Sequence, residues 1–470
     1  MKRGWVVLIR VLAGLLAVYF IAYTILVTPR RFLQCLDGPI ATYRRDPQDG
    51  LGADLPSPID GNEVALQVNG DEILPAMLEL IDGAEHSIRW QVMVFKPDEA
   101  GQQLAEALSE AAGRGVTVQL AFSFDQSTNA VFFAPSAPEV TQRYREAMPV
   151  MLAEMRAAGV TVLDSGEITG TPSPAALSEE ARRWQREIMR SACIGQNHVD
   201  HRKVLIVDDE VALVGGMNVG NEYLYWVPPD VSMDASAEAA MREEAGEAEA
   251  WEKWQDSAVL VSGPVVRQLV EAFNPRWEVM GGEPVSPITP SARTRGDAPI
   301  RAVSQGPGRA EISTGMVALM DAAEEEIYAA FPYVSHPVLL DHLMAASERG
   351  VRVVFVYPGD HNEVAISRRL LRLLSGELMA AGVELYEHNE RMNHTKLMVV
   401  DGRTVSVGSH NFNYRSVRHD LELNLLIEDE ALAEEAIRRV FEPYMEQAER
   451  LTVPYDLRWG PFDRLVLPFS

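Results

Sequence analysis

The chain has little cysteine, little positive charge and only one long apolar run. Cys35 and Cys193 are its two cysteines in 470 residues, so no disulfide framework is implied. Neither stands at metal-ligand spacing, and no cluster of Asp, Glu or His does so either, so no metal or other cofactor enters the reading. Lys and Arg total 42 against 68 Asp and Glu, a formal net charge of -26. That balance argues against a nucleic-acid binder working through a broad basic surface, though it leaves room for a local basic pocket. Otherwise the composition is that of a folded protein, with 47% hydrophobic and 23% charged residues. The length suits two or three domains with ample core.

The apolar run lies at the amino terminus. From Trp5 to Val27 it is broken by Arg10, Gly14, Thr24 and two tyrosine hydroxyls, and Pro29, Arg30 and Arg31 close it. The stretch free of charged residues, Val11 to Val27, is at the short limit for a spanning helix. Arg10 is near enough to the end to snorkel to the headgroups. A cleaved signal peptide is the rival, but no A-x-A site follows. We therefore expect an uncleaved single-pass anchor over 5–27. Basic residues flank both ends, so the charge rule leaves its orientation open.

What is abundant is repetition. His201-Arg202-Lys203 is followed by Val204-Leu205-Ile206-Val207 and Asp208, then by a turn ending Gly215-Gly216-Met217-Asn218. His394-Thr395-Lys396 is followed by Leu397-Met398-Val399-Val400 and Asp401, then by Gly408-Ser409-His410-Asn411 at the same spacing. On a strand, His and Lys two apart point to one face. The continuous apolar runs suit strands buried on both faces. Two such halves, face to face, gather two His, two Lys and two Asn around one pocket, which suits an anionic phosphodiester. A lone His-x-Lys is an ordinary surface accident; two complete copies within an internal repeat are not.

The repeat reaches beyond this phrase. Leu74–Ala84 and Leu104–Ala112 carry helical spacing, alternating with strands expected at Ser87–Phe95 and Val116–Phe122. The order returns with helices at Met316–Ala323 and Leu339–Ser347 and strands at Ile327–Phe331 and Arg352–Tyr357. Ala158-Gly159-Val160 pairs with Ala381-Gly382-Val383. This alternation predicts an α/β fold with a mostly parallel sheet in each half. The expected divisions are the anchor (5–27), a linker (28–62), a first domain (63–280), a second linker (281–300), a second domain (301–450) and a tail (451–470). The first half carries an insertion around Ser165–Ala192. It carries another from Tyr223-Leu224-Tyr225-Trp226 into the acidic run Ala235–Glu252. There the aromatic cluster is expected to pack under an inserted helix rather than dip into lipid.

The doubled pattern H-x-K-x4-D-x6-G-[GS]-x-N resembles the phospholipase D superfamily. The flanks narrow the likeness to bacterial cardiolipin synthases: Asn218-Val219-Gly220-Asn221-Glu222-Tyr223; Trp254-Gln255-Asp256 with Val261-Ser262-Gly263-Pro264; and Asn411-Phe412-Asn413-Tyr414-Arg415-Ser416 with Glu422 and Asn424. It spans about residues 60 to 450. The resemblance implies two pseudo-symmetric α/β/α halves packed around one shared active site, complete within a single chain. It also implies transfer of a phosphatidyl group between two phosphatidylglycerols in the bacterial inner membrane.

The chemistry assigns roles. Lys203 and Lys396, helped by Asn218 and Asn411, would neutralise the non-bridging oxygens and the pentacoordinate transition state. One His attacks phosphorus while the other protonates the leaving alcohol and later deprotonates the acceptor. By resemblance His201 is the nucleophile and His394 the acid/base; the residues alone do not distinguish them. The resemblance also offers Asp256 and Glu422 as the carboxylates that orient the imidazoles. Asp208 and Asp401 complete the motif, with a structural role expected at the far ends of their strands. Gly215, Gly216 and Gly408 are expected to serve the backbone alone, and His198, His410 and His419 are left outside the site. Alternative readings are a phospholipid hydrolase, a nuclease, and a membrane-tethered binding protein without activity.

Overall fold

A computed structural model describes residues 54–128, 138–165, 177–186 (without 180 and 184), 199–224, 253–283, 293–306, 309–460 and 463. The expected anchor, Cys35, Cys193, His198, Thr171–Pro174, Tyr225–Pro229 and the acidic run lie outside the described residues. Among the described residues no helix is long and apolar enough to cross a membrane.

The first half runs β1 (Ile59–Val68), α1 (Asn69–Asp82), β2 (Ser87–Gln91), α2 (Glu99–Gly113), β3 (Thr117–Phe122), α3 (Pro138–Ala157) and β4 (Thr161–Asp164). It continues through β5 (Val204–Val207), β6 (Val211–Gly215), β7 (Ser257–Ser262) and α4 (Val266–Val279). The second half runs β8 (Ala298–Gly306), β9 (Arg309–Ala310), α5 (Glu311–Ala322), β10 (Glu326–Ala330), α6 (Pro337–Glu348), β11 (Arg352–Pro358), α7 (Ala365–Ala380) and β12 (Glu384–His388). Then come β13 (Leu397–Val400), β14 (Thr404–Gly408), β15 (Glu422–Glu428) and β16 (Ala448–Arg450). The strands join in one sheet of order β16-β12-β11-β10-β13-β14-β15-β8-β1-β7-β6-β5-β2-β3-β4, with β9 on β8. Around the β8·β1 seam the order reads alike in both directions, β16 apart, as a duplicated chain would.

The sheet is mixed, not mostly parallel. Parallel pairing is confined to β2-β3-β4 and β10-β11-β12. The strands carrying the repeated phrase are antiparallel to both neighbours. Tight reversals cause this: Asp208 and Asp209 turn β5 into β6 at φ 54° and 57°, and Asp401 and Gly402 turn β13 into β14 at 52° and 58°. A buried apolar run reports burial on two faces, not strand direction.

Those runs do alternate between two cores. Val204 and Ile206 enter one core with Leu397 and Val399, roofed by α4 residues Leu269, Phe273 and Trp277 and by Val440 and Phe441. Leu205 and Val207 point to the first half's outer core, with Leu104 and Leu108 of α2. Met398 and Val400 point to the second half's, with Leu339 and Leu343 of α6. Beside this shared core the halves meet again at two short bridges, Asp200 to Leu421 and Gln255 to Asn393.

The described part of the first insertion docks on α4. The Ser178 amide and hydroxyl donate to Glu278 at 2.9 Å each, and Leu177 and Ala181 pack on Val279 and Leu421. The middle residue of the first phrase is structural. Arg202, turned away from His201, donates to both oxygens of buried Asp200 at 2.8 and 2.7 Å and to the Ala272 carbonyl on α4. Arg202→Ala leaves that carboxylate only the longer ion pair with Arg276 at 3.6 Å and should cost about 3–5 kcal/mol, read as a lower urea midpoint.

Candidate active site

Each phrase enters its strand through a short bridge to the other half. The His201 amide donates to the Leu421 carbonyl (2.9 Å), and the Leu421 amide donates to that of Val199. The His394 amide donates to the Gln255 carbonyl (2.7 Å), and the Gln255 amide donates to that of Met392. Those bridges set each imidazole beside a carboxylate of the opposite half. His201 Nδ1 lies 2.9 and 3.1 Å from the Glu422 oxygens. His394 Nδ1 lies 2.7 Å from Asp256 Oδ2. With Nδ1–H so engaged, each Nε2 is the nitrogen left for chemistry.

The lysines are held as the spacing requires. Lys203 Nζ donates to the His201 carbonyl and Lys396 Nζ to the His394 carbonyl, both at 2.5 Å. All four side chains are buried. Burial first, then the nearest lysine, holds both imidazoles well below the ordinary histidine range. Burial likewise lowers Lys203 to about 8 and Lys396 to about 7, and pushes Asp256 up to about 7. His394 feels Lys203 and His201 as well as Lys396, so the two phrases form one electrostatic unit. Such a unit, with two ammonium groups drawn together, suits an anion carrying a phosphorus centre.

Asn218 and Asn411 are both buried. Asn218 Oδ1 accepts from the Val94 amide at 3.2 Å. The Asn411 amide donates to Ser416 Oγ at 3.0 Å, while its Oδ1 has no partner. Asp208 and Asp401 sit at the other ends of their strands. Asp208 accepts from the Glu85, His86 and Ser87 amides at 2.7 to 2.9 Å. Asp401 does the same for Glu324, Glu325 and Glu326 at 2.8 to 3.3 Å. They tie the loop before the neighbouring strand and stand apart from the imidazoles.

The halves are not equivalent where it matters. Glu422 receives the hydroxyls of Ser409 and Ser416, each at 2.5 Å. Asp256 receives the Ser257 amide at 2.8 Å. Gly216 occupies the place of Ser409, and a Cβ there would stand 2.4 Å from Asp256 Oδ1. Gly216 therefore serves more than the backbone: it makes room for the carboxylate. His394 is also ringed by Tyr223, Trp254 and Tyr333, with centroids 5.4, 5.5 and 6.1 Å away. His201 feels Asp420 and Arg415 instead.

Tyr223 thus lines the site, and neither it nor Tyr333 is legible as a site residue in the sequence. Ser409 is one of two departures between the turns, the other being His410 in the place of Met217. Trp254 lies two residues before Asp256, and nothing in the sequence marks it as a neighbour of His394. His410 is buried with neither ring nitrogen bonded, beside Glu422, and His419 caps the Tyr414–Arg418 turn.

Similarity to known proteins places the chain in a family. The family model described as "Cardiolipin synthase, PLD-like domain" matches residues 77–241 and 316–444. Cardiolipin synthase A of Erwinia tasmaniensis is 27% identical over 399 residues, 83% of this chain and 70% of that protein. Cardiolipin synthase of Geobacillus thermodenitrificans is 27% identical over 373 residues, 78% of this chain but 63% of that protein. Among solved structures, phosphatidylserine synthase of Haemophilus influenzae has the same fold, with TM-score 0.56 at 16% identity over 88% of this chain and 94% of that one. With most of its length matched by that family model, the chain belongs to the cardiolipin synthase PLD-like family and is an enzyme of the phospholipase D superfamily.

Proposed function

We propose that the protein is a membrane-anchored phosphatidyltransferase that makes cardiolipin and glycerol from two phosphatidylglycerols. In this reading two pseudo-symmetric halves share one active site. The observation that carries it is the crossed pair of Nδ1–carboxylate contacts, which leaves two Nε2 atoms and two ammonium groups for one phosphodiester. His201 Nε2 attacks phosphorus, the bond to the glycerol oxygen breaks, and His394 gives that oxygen its proton. A second phosphatidylglycerol then offers a primary hydroxyl. His394 takes the proton, the oxygen bonds to phosphorus, and the phosphorus–nitrogen bond breaks. Lys203, Lys396, Asn218 and Asn411 balance the charge on the non-bridging oxygens. Residues 5–27 would hold the enzyme at the membrane that carries its substrate.

Incubation of the detergent-purified chain with phosphatidylglycerol alone, read by lipid mass spectrometry, tests this. Cardiolipin with free glycerol is expected. Phosphatidic acid without cardiolipin would make it a hydrolase with water as acceptor. The rate carries its own signature in pH. Lys396 and Lys203 are charged below about 7 and about 8 and lose charge as pH rises through those values. His394 must carry the proton it gives, and burial holds its imidazolium well below the ordinary histidine range. So kcat/KM, which reports the free enzyme, should already fall with rising pH below neutrality, the lysine losses at about 7 and about 8 steepening the fall. Because the His201 lone pair persists well below the ordinary histidine range, no loss is expected at mildly acidic pH from that group.

A further inference from the structure

One buried carboxylate beside the site has an oxygen with nothing to bind. Glu363 lies in the loop between β11 and α7. The loop is fixed: Asn362 Nδ2 donates to the Pro332 carbonyl and the Val364 amide donates to Asn362 Oδ1, each at 2.9 Å. The Tyr333 hydroxyl donates to Glu363 Oε1, while Oε2 is buried without a hydrogen-bond partner. Tyr333 is the same ring that stands edge-on to His394. Glu363 also feels Lys396 and Glu222, so its free oxygen belongs to the His394 side of the site.

We propose that Glu363 is a specificity residue that accepts a hydrogen bond from the hydroxyl adjacent to the reacting one, so that the site selects a 1,2-diol alcohol. The inference rests on the transferase reading above and names the part of the substrate that this side takes. Burial raises Glu363 to about 7; above that pH it is a carboxylate, which accepts and does not donate, so its partner must bring an O–H or N–H. It repels the phosphoryl group, which the lysines hold on the other side. In the proposed reaction both the leaving and the incoming alcohol are glyceryl groups, each with a second hydroxyl one carbon from the reacting oxygen. A buried acceptor left unpaired disfavours an alcohol lacking that hydroxyl, which is how such sites discriminate.

Head-group exchange tests this on the full chain in detergent. Phosphatidylglycerol is supplied with deuterated glycerol and 1-propanol in competition, and deuterated phosphatidylglycerol and phosphatidylpropanol are read by mass spectrometry. Wild type should favour glycerol, and Glu363→Ala should lower the glycerol-to-propanol ratio by about 10-fold or more. Glu363→Gln, which keeps one acceptor oxygen, should fall between. Propanol transfer by either variant reports that it has folded. An unchanged ratio, with both products falling together, would overturn the inference and leave Glu363 as a support for Tyr333. Ethanolamine outcompeting glycerol in wild type would overturn it too, in favour of a cation site. If wild type transferred to no alcohol at all, the transferase reading would fall and this inference with it.

Discussion

His201→Ala should lose formation of the covalent intermediate completely with any leaving group, whereas His394→Ala should lose it only when the leaving group needs a proton. The prediction follows from the division of labour proposed for two imidazoles that look alike. A nucleophile cannot be bypassed, because without it no covalent intermediate forms. A general acid can, because a p-nitrophenolate leaves without protonation. With phosphatidylglycerol, His394→Ala should be slower by about 10^2 to 10^4, the usual worth of positioned proton transfer. With phosphatidyl-p-nitrophenol it should release a burst of nitrophenolate. It should then stall, since nothing deprotonates the acceptor, and mass spectrometry of the protein should find the phosphatidyl group on His201. A burst in His201→Ala with the adduct on His394 would exchange the two roles.

The sequence carried the site better than the sheet. Identical spacing from His201 to Asn218 and from His394 to Asn411 is a chemical regularity, and it survives folding because each phrase is one short strand with its turn. Strand direction is set elsewhere, by φ angles at Asp208, Asp209, Asp401 and Gly402 that no apolar run encodes. Expected and observed elements differ mostly at their ends. The strand expected at Ser87–Phe95 stops at Gln91; beyond it Val92 donates to Ala121, and Phe95 bridges to Val219. The pairing of His201 with Glu422 and of His394 with Asp256 was not legible. A residue's partner across 221 or 138 positions depends on which half the bridge strand crosses into. Tyr333 and Glu363 were hidden for another reason. Both sit in loops of ordinary composition, and only the fold brings them to His394.

Because the carboxylates are exchanged between halves, each half's imidazole should be disabled by a change in the other. Glu422→Gln should cut turnover by about 10^4 with alkyl and aryl leaving groups alike. Glu422 accepts from His201 Nδ1–H and from the Ser409 and Ser416 hydroxyls, so it offers acceptors on both oxygens. Gln keeps one acceptor and turns an NH2 toward groups arranged as donors. Where that NH2 meets Nδ1, the proton moves to Nε2 and the lone pair needed for attack is lost. Asp256→Asn makes the same change at His394, where it removes the imidazolium that serves as acid and leaves the attack itself intact. Its defect should therefore be as deep as that of Glu422→Gln with phosphatidylglycerol, yet largely relieved in the nitrophenolate burst with phosphatidyl-p-nitrophenol. Turnover of phosphatidylglycerol and the rate and amplitude of the nitrophenolate burst make the comparison. Relief in Glu422→Gln and none in Asp256→Asn would mean that the nucleophile is the imidazole of the second phrase. Equal behaviour on both substrates would mean that the carboxylates support the fold rather than the proton.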